Sequence, residues 1–278
     1  MQTSPKVKCD LHIHSNFSDS DAKIEEIFIK AKEKNLSAIA ITDHDTIGGL
    51  SEADRQSKIY GIECIEGLEL SAQKNDIEVH ILGYFIDTKS KLLKDSLAEV
   101  CTFRNNRFIS MAQNLRSLGL AVDIDEVLLS ITSSIPTRLH LGLYLVHKGI
   151  VKSLREAFNK YLSPGKPAYV SRFKYSVKEA VKLIKDCSGL AFLAHPHLLG
   201  EQSWIEEFVS YGLDGLEVVY PKFSEAKVLH YSELADRLKL LKSGGSDAHG
   251  SYKEFTEVGG VTIPYEWVEA MKSRIAKS

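Results

Sequence analysis

His12 and His14 stand two residues apart at the end of a short apolar run, Cys9-Asp10-Leu11-His12-Ile13-His14. Side chains at i and i+2 of a β-strand face the same way, so two imidazoles emerge side by side where a strand runs out. Asp19 follows five residues after His14, behind polar residues that read as a loop. Two nitrogens and a carboxylate on a loop make a partial metal site. By itself an H-x-H pair can also be a polar strand end without chemistry.

The same event recurs along the chain. The run 37–42 ends at Asp43-His44-Asp45, and the run 62–70 carries Glu66 and Glu69 near its end. The run 190–194 ends at His195-Pro196-His197, and the run 238–242 leads to Gly244-Gly245-Ser246-Asp247-Ala248-His249. His80 lies inside a further run, 77–85. Each has a plain alternative: Asp43 can cap a helix, and His80 can be a satisfied core histidine. Six such sites in one chain point instead to a metal cluster. Its mixed nitrogen and oxygen donors suit Mn²⁺, Fe²⁺ or Zn²⁺ over Mg²⁺.

The elements that position these residues alternate. Strands are expected at 6–13, 37–42, 62–70, 77–85, 190–194, 215–219, 238–242 and 258–263. Amphipathic helices are expected at 22–34, 47–60, 176–186, 204–211, 224–237 and 265–275. That order predicts an α/β fold with a parallel sheet or barrel, in which the strand ends share one mouth. The pattern changes over 89–118, a long helix, and more helix follows near 125–130, 139–148 and 153–161. Residues 100–170 therefore read as a helical insertion between barrel segments 1–99 and 171–278. From Cys101 to Tyr175 there are 11 Lys and Arg against 4 Asp and Glu, giving +7, while the rest of the chain is −2 − 7 = −9. A basic segment on an acidic body suits an anionic ligand held between them, although charge alone fits a solvated basic face equally well.

No apolar run approaches the ~20 residues of a membrane span. The net charge of −2 gives no global nucleic-acid signature. The four cysteines are far apart, with no C-x-x-C pair. With no apolar leader at the N-terminus, this fits reduced thiols in a cytoplasmic protein without a membrane or an obligatory protein partner.

The motifs D-L-H-I-H-S-x-x-S-D, I-T-D-H-D-T, E-G-x-E-L-S, V-H-I-L-G-Y, A-H-P and G-G-S-D-A-H-G resemble those of the PHP (polymerase and histidinol phosphatase) family, in the same order. The insertion motifs I-P-T-R-L-H-L-G, E-A-F-N-K-Y-L and P-G-K-P-A-Y-V resemble the branch with 3′,5′-nucleoside bisphosphate phosphatases and a 5′-to-3′ exoribonuclease. The resemblance implies a distorted (β/α)7 barrel and a trinuclear site, with manganese favoured. It assigns His12, His14, Glu69 and Asp247 to the first metal. Glu69, His80 and His195 go to the second, and Asp19, His44 and His249 to the third. The chain departs from the family with Ser20 after Asp19, Leu139 between Arg138 and His140, and His197 after A-H-P.

By the same resemblance, water activated at the metals would attack a phosphate ester. Asp247 and His197 are the catalytic candidates, His197 as proton donor or as a neighbour supporting a ligand. Arg138, His140 and Lys166 are candidates for phosphate or nucleotide contacts, with Arg104 and Arg107 weaker ones. The expected substrate is a small phosphorylated molecule such as a 3′,5′-nucleoside bisphosphate. Rival readings are an exonuclease on short RNA or DNA, a histidinol-phosphate-type phosphatase, and a regulatory module with structural metals. No aromatic-rich stacking patch is visible in the sequence, which favours small substrates over long chains.

Overall fold

The computed structural model describes residues 7–75, 77–129, 136–171, 175–253 and 256–277. The chain begins with β1 (Lys8–Ile13), α1 (Ile24–Glu33), β2 (Leu36–Ile41), α2 (Leu50–Tyr60), β3 (Glu63–Lys74) and β4 (Ile77–Tyr84). Then come α3 (Lys91–Ser117), α4 (Ile124–Leu129), α5 (Arg138–His147), α6 (Leu154–Ala157) and a π-helical turn at Phe158–Leu162. After these follow β5 (Tyr175–Ser176), α7 (Val177–Asp186), β6 (Leu190–Leu193), α8 (Trp204–Ser210) and β7 (Gly215–Val219). The chain ends with α9 (Glu225–Arg237), β8 (Leu241–Gly244), β9 (Ile263–Pro264) and α10 (Tyr265–Ile275).

The strands are ordered β8-β7-β6-β4-β3-β2-β1-β9, with β5 beside β3. The sheet curls until the segment after β8 meets β1, where the His14 amide donates to the Ala248 carbonyl at 3.0 Å. Strands β1–β4 and β6–β8 thus form the expected nearly closed barrel of seven main strands, with helices outside. Buried Ile39 and Ile41 face the core shared with Ile27, Phe28 and Ile184 of the helices. Ala38 and Ala40, pointing the other way, join Leu11, Leu82 and Phe192 in a core closed by Val268 and Met271 of α10.

Four expectations need correction. The sheet is not all parallel: β4 runs antiparallel to both β3 and β6. Residues 75–76 alone join β3 to β4, far short of the dozen or so residues a parallel crossover needs. The start of β4 therefore lies at the mouth where its neighbours end, which is how His80, inside a strand, reaches the site. Strand β3 also runs on to Lys74 instead of ending near Leu70. Helix α2 starts at Leu50 instead of residue 47, because Gly48 and Gly49 are poor helix formers. The strand expected over 258–263 shrinks to β9, because Gly259 turns the chain with φ +72° and gives its amide to Asp10 Oδ2 at 2.8 Å.

Residues 108–168 supply a separate apolar core that includes Phe108, Met111, Leu115, Leu141, Leu145 and Leu162. Arg172 and Lys174 of the basic segment lie outside the described residues. No helix among the described residues is long and apolar enough to cross a membrane.

Candidate metal centre

Strand geometry brings all nine candidate ligands to one mouth, and Glu69 is its hub. Glu69 Oε2 lies 3.4 Å from His12 Nε2, 3.2 Å from His14 Nε2 and 3.2 Å from His44 Nδ1. Its Oε1 lies 3.0 Å from His80 Nδ1 and 3.1 Å from His195 Nε2. Asp247 Oδ1 faces His12 and His14 at 3.6 and 3.3 Å and His249 Nδ1 at 3.5 Å. Asp19 sits 3.5 Å from His14 Nδ1, 3.6 Å from His44 Nε2 and 3.5 Å from His249 Nε2.

These atoms fit metal ions. The buried His12 Nε2, both His14 nitrogens, His44 Nδ1 and His80 Nδ1 make no hydrogen bond, an arrangement that burial punishes unless a cation fills the gap. Three clusters have ligand atoms close enough for one ion each: His14, Asp19, His44 and His249; His12, His14 and Asp247; His44, Glu69 and His80. They overlap the partition implied by the sequence without matching it, since His14 joins the Asp19 set and His44 the Glu69 set.

Acceptors behind the imidazoles set their orientation. Glu217 Oε1 holds His12 Nδ1 at 3.0 Å, Glu78 Oε1 holds His80 Nε2 at 3.1 Å, and the Asp247 carbonyl holds His249 Nδ1 at 2.8 Å. Each partner occupies one ring nitrogen and turns the other toward the ligand cluster. Asp43 is a clamp, not a helix cap: it accepts from the Ser15 amide at 2.8 Å and the Ser18 hydroxyl at 2.5 Å, fixing the loop that carries Asp19. His195 and Asp247 have left-handed backbones, φ 28° and 48°. Such strain costs about 1–3 kcal/mol per residue and persists only where surrounding contacts hold it. At Gly245 a Cβ would come within 2.4 Å of the His12 amide nitrogen, so only glycine lets this loop lie against β1.

Charge tunes the same groups. Burial opposes an imidazolium at His12, yet Glu69, Glu217 and Asp247 raise it well above its usual range. At His14, burial is likewise overcome by Asp247 and Glu69, and the value rises to about 9. Burial would raise Asp19, Glu69 and Asp247, but the imidazoles around them hold all three carboxyls well below the usual range. His44 goes the other way, pulled by burial down to about 3 against the attraction of Glu69 and Asp19.

Residues 10–163 match the PHP domain. The chain belongs to the PHP family. It is 34% identical over 256 residues, 90% of each chain, to a Chromobacterium violaceum 3′,5′-nucleoside bisphosphate phosphatase. It is 30% identical over 271 residues to a Haemophilus influenzae 5′-3′ exoribonuclease, covering 96% of this chain and 94% of the relative. A solved structure from Bifidobacterium adolescentis, classed as a metal-dependent phosphoesterase, superposes with a TM-score of 0.88 over 98% of both chains at 26% identity.

Within this PHP chain the insertion contributes a group of cations. Arg138 lies over the rings of Phe158 and Tyr169 at 5.8 and 5.6 Å, and Arg107 lies over Tyr169 at 5.6 Å. Arg107 Nη2 and Arg138 Nε are buried without a hydrogen bond. Burial, then Arg138 beside it, pushes the Arg107 guanidinium down to about 10, so it stays charged at neutral pH. His140 accepts the Thr137 amide at 2.9 Å, is lowered by burial, and is close enough to feel the Asp19 charge. Arg104 serves differently, pairing with Asp45 next to His44 and donating to Ser71 Oγ at 3.0 Å. Lys166 is exposed in the turn before Tyr169 and makes no ion pair among the described residues. His197 packs against Tyr220 and Phe223, with ring centroids 5.0 and 5.1 Å away, and burial plus His195 and two lysines lower it to about 4.

The sequence reading missed Glu78, Glu217, Tyr220 and Lys253. Glu217 was legible as a lone acid in the apolar strand G-L-E-V-V. Tyr220 donates to Asp247 Oδ2 at 2.7 Å, and the Lys253 ammonium pairs with the same oxygen, leaving Oδ1 for the ligand cluster. Neither residue has a local sequence signal, because the fold alone brings them to Asp247.

Proposed function

We propose that this protein hydrolyses a phosphate monoester of a small nucleotide, with a 3′,5′-nucleoside bisphosphate as the substrate of best fit. The reaction class follows from the family, a metal-dependent phosphoric ester hydrolase. Three divalent cations, manganese first, would be held by His12, His14, Asp19, His44, Glu69, His80, His195, Asp247 and His249. Once bound, they supply acidified water and neutralise charge on the phosphoryl oxygens.

The rest belongs to the chain's own groups. Glu69, facing five imidazoles, holds the cluster together. Glu217, Glu78 and the Asp247 carbonyl fix which imidazole nitrogens face the ions. Tyr220 and Lys253 keep Asp247 from rotating, and Lys253 brings positive charge beside the phosphoryl site.

The observation that carries the substrate reading is the pair of guanidiniums over the Tyr169 ring, buried Arg107 and half-buried Arg138, each with one nitrogen that has no hydrogen bond. Like charges held together favour an anion to bridge them, and a guanidinium grips phosphate bidentately. In this reading a bisphosphate has one phosphate at the metals and the other on this pair, and His140, which feels the Asp19 charge, belongs to the same region. Lys166, exposed in its turn, would contribute only as an outer charge.

The test is phosphate release with Mn²⁺ from 3′,5′-bisphosphates, mononucleotides, histidinol phosphate and an aryl phosphate. Arg138→Ala should lose about 1.5–3 kcal/mol in kcat/KM on the bisphosphate, the worth of a charged hydrogen bond, and much less on the aryl phosphate. Equal losses on both would remove the second-phosphate role.

A further inference from the structure

Helix α3 is shared between the barrel and the insertion. Its first half carries Leu93 and Leu97 into the barrel core, and its second half carries Phe108, Met111 and Leu115 into the insertion core. Arg104 stands between them, buried, and reaches the barrel. Its Nη2 meets Asp45 Oδ2 and donates to Ser71 Oγ at 3.0 Å. Asp45 Oδ1 accepts the Ser71 amide at 2.8 Å, so Arg104, Asp45 and Ser71 close a ring of hydrogen bonds.

Asp45 is the residue after His44. Its left-handed backbone, φ 50°, is held by this ring and by its own amide, which donates to the Glu69 carbonyl at 3.0 Å. Before His44, the Asp43 carbonyl accepts the Glu69 amide at 3.1 Å. His44 therefore has a fixed neighbour on each side, and the insertion helix holds one of them. Position matters for this imidazole, because it belongs to two of the three ligand clusters. The chain returning from the insertion meets the same strand. Strand β5 pairs with β3 at Ala72 and Gln73, and Tyr175 donates to the Ser96 carbonyl of α3 at 3.4 Å. Arg107, one turn along α3 from Arg104, donates from Nε to the Val170 carbonyl at 2.8 Å. Arg107 and Arg138 both feel the Arg104 charge. A shift of the insertion thus reaches His44 through Arg104 and Asp45.

We propose that Arg104 is a positioning residue for the metal centre. Acting through Asp45 and Ser71, it holds the His44 backbone where the imidazole serves both of its clusters. The docked insertion then sets metal affinity as well as substrate choice. This inference rests on the reading above that the clusters hold divalent cations.

The experiment titrates metal-stripped protein with Mn²⁺ in the wild type, Arg104→Lys, Asp45→Asn and the double variant. Arg104→Lys keeps the charge but not the planar guanidinium. Each single variant should weaken Mn²⁺ binding about 10-fold, the low end for outer partners of a metal-bound histidine. The double variant should lose no more than the worse single one, because changes within one hydrogen-bond network do not add. In phosphate release, the Arg104→Lys deficit should be equal on a 3′,5′-bisphosphate and an aryl phosphate, and should close as Mn²⁺ saturates. Unchanged Mn²⁺ affinity in either single variant would overturn the proposal, even if the urea midpoint of the stripped protein falls, because Arg104 would then be a strut alone. Additive losses in the double variant would overturn the route through Asp45. A deficit that persists at saturating Mn²⁺ would also overturn the proposal, since Arg104 would then act on the substrate. A wild type that binds Mn²⁺ but releases no phosphate from a nucleotide would overturn the substrate reading and leave this one standing. A wild type that binds no Mn²⁺ would overturn both.

Discussion

The Glu217 carboxylate lies 3.0 Å from His12 Nδ1, and its second oxygen accepts the His195 amide at 2.6 Å. One fully buried acid on β7 therefore fixes a candidate ligand side chain on β1 and the strained backbone of a second candidate after β6.

Glu217→Gln keeps the size of the side chain but removes the charge behind His12 and one of its two acceptors. It should weaken Mn²⁺ binding about 10- to 100-fold, the usual worth of an outer partner to a metal-bound histidine. Titration of metal-stripped protein, followed by calorimetry or manganese resonance, checks this. Unchanged affinity would mean that Glu217 serves packing alone.

Glu69→Gln should lose on the order of 10³-fold or more in kcat, because its two oxygens face five imidazoles. Glu66, exposed at the other end of β3, should tolerate the same change with little loss. Elemental analysis after Mn²⁺ loading should find more than two equivalents in the wild type and fewer in Glu69→Gln. One equivalent or none in the wild type would exclude a trinuclear site.

Arg104 ties the insertion to the barrel through Asp45, and both side chains are buried. Arg104→Ala leaves Asp45 unpaired and should cost about 3–5 kcal/mol of stability, read as a lowered midpoint in urea. Arg104→Lys, which keeps the charge but not the fork that also reaches Ser71, should recover part of that loss.

Burial pushes the Cys9 and Cys64 thiols up from 9.0 to about 12 in each case. Because the folded value is raised, the reactive thiolate is suppressed in the native state at every pH below about 12. At pH 8 both cysteines should label with a disulfide reagent roughly 10³-fold more slowly than in the unfolded chain, and denaturant should release them. Fast labelling of either in native protein, located by mass spectrometry, would contradict this.

What the sequence determined by itself was the candidate ligand set and the barrel. Histidines and acids are the residue types suited to such a site, and a strand of one hydrophobic period announces where it ends, so His12, His14, His44, Glu69, His195, Asp247 and His249 could be read as candidates from type and position. The basic segment was legible as charge, and its arginines as phosphate candidates. Tertiary structure decided the rest, because it depends on pairing between residues distant in sequence. The short link after β3 reversed β4 and so brought His80 to the mouth. Glu217 became a partner of His12 only when β8, paired to β7, brought the sheet round to β1. The rings of His197, Tyr220, Phe223 and Tyr231 showed no aromatic run: Tyr220 and Phe223 are three residues apart, and His197 and Tyr231 join them only in the fold. Lys166 and Arg107 look alike as isolated cations in the sequence. Burial against Tyr169 separates them, leaving one exposed and the other a guanidinium that lacks an anion.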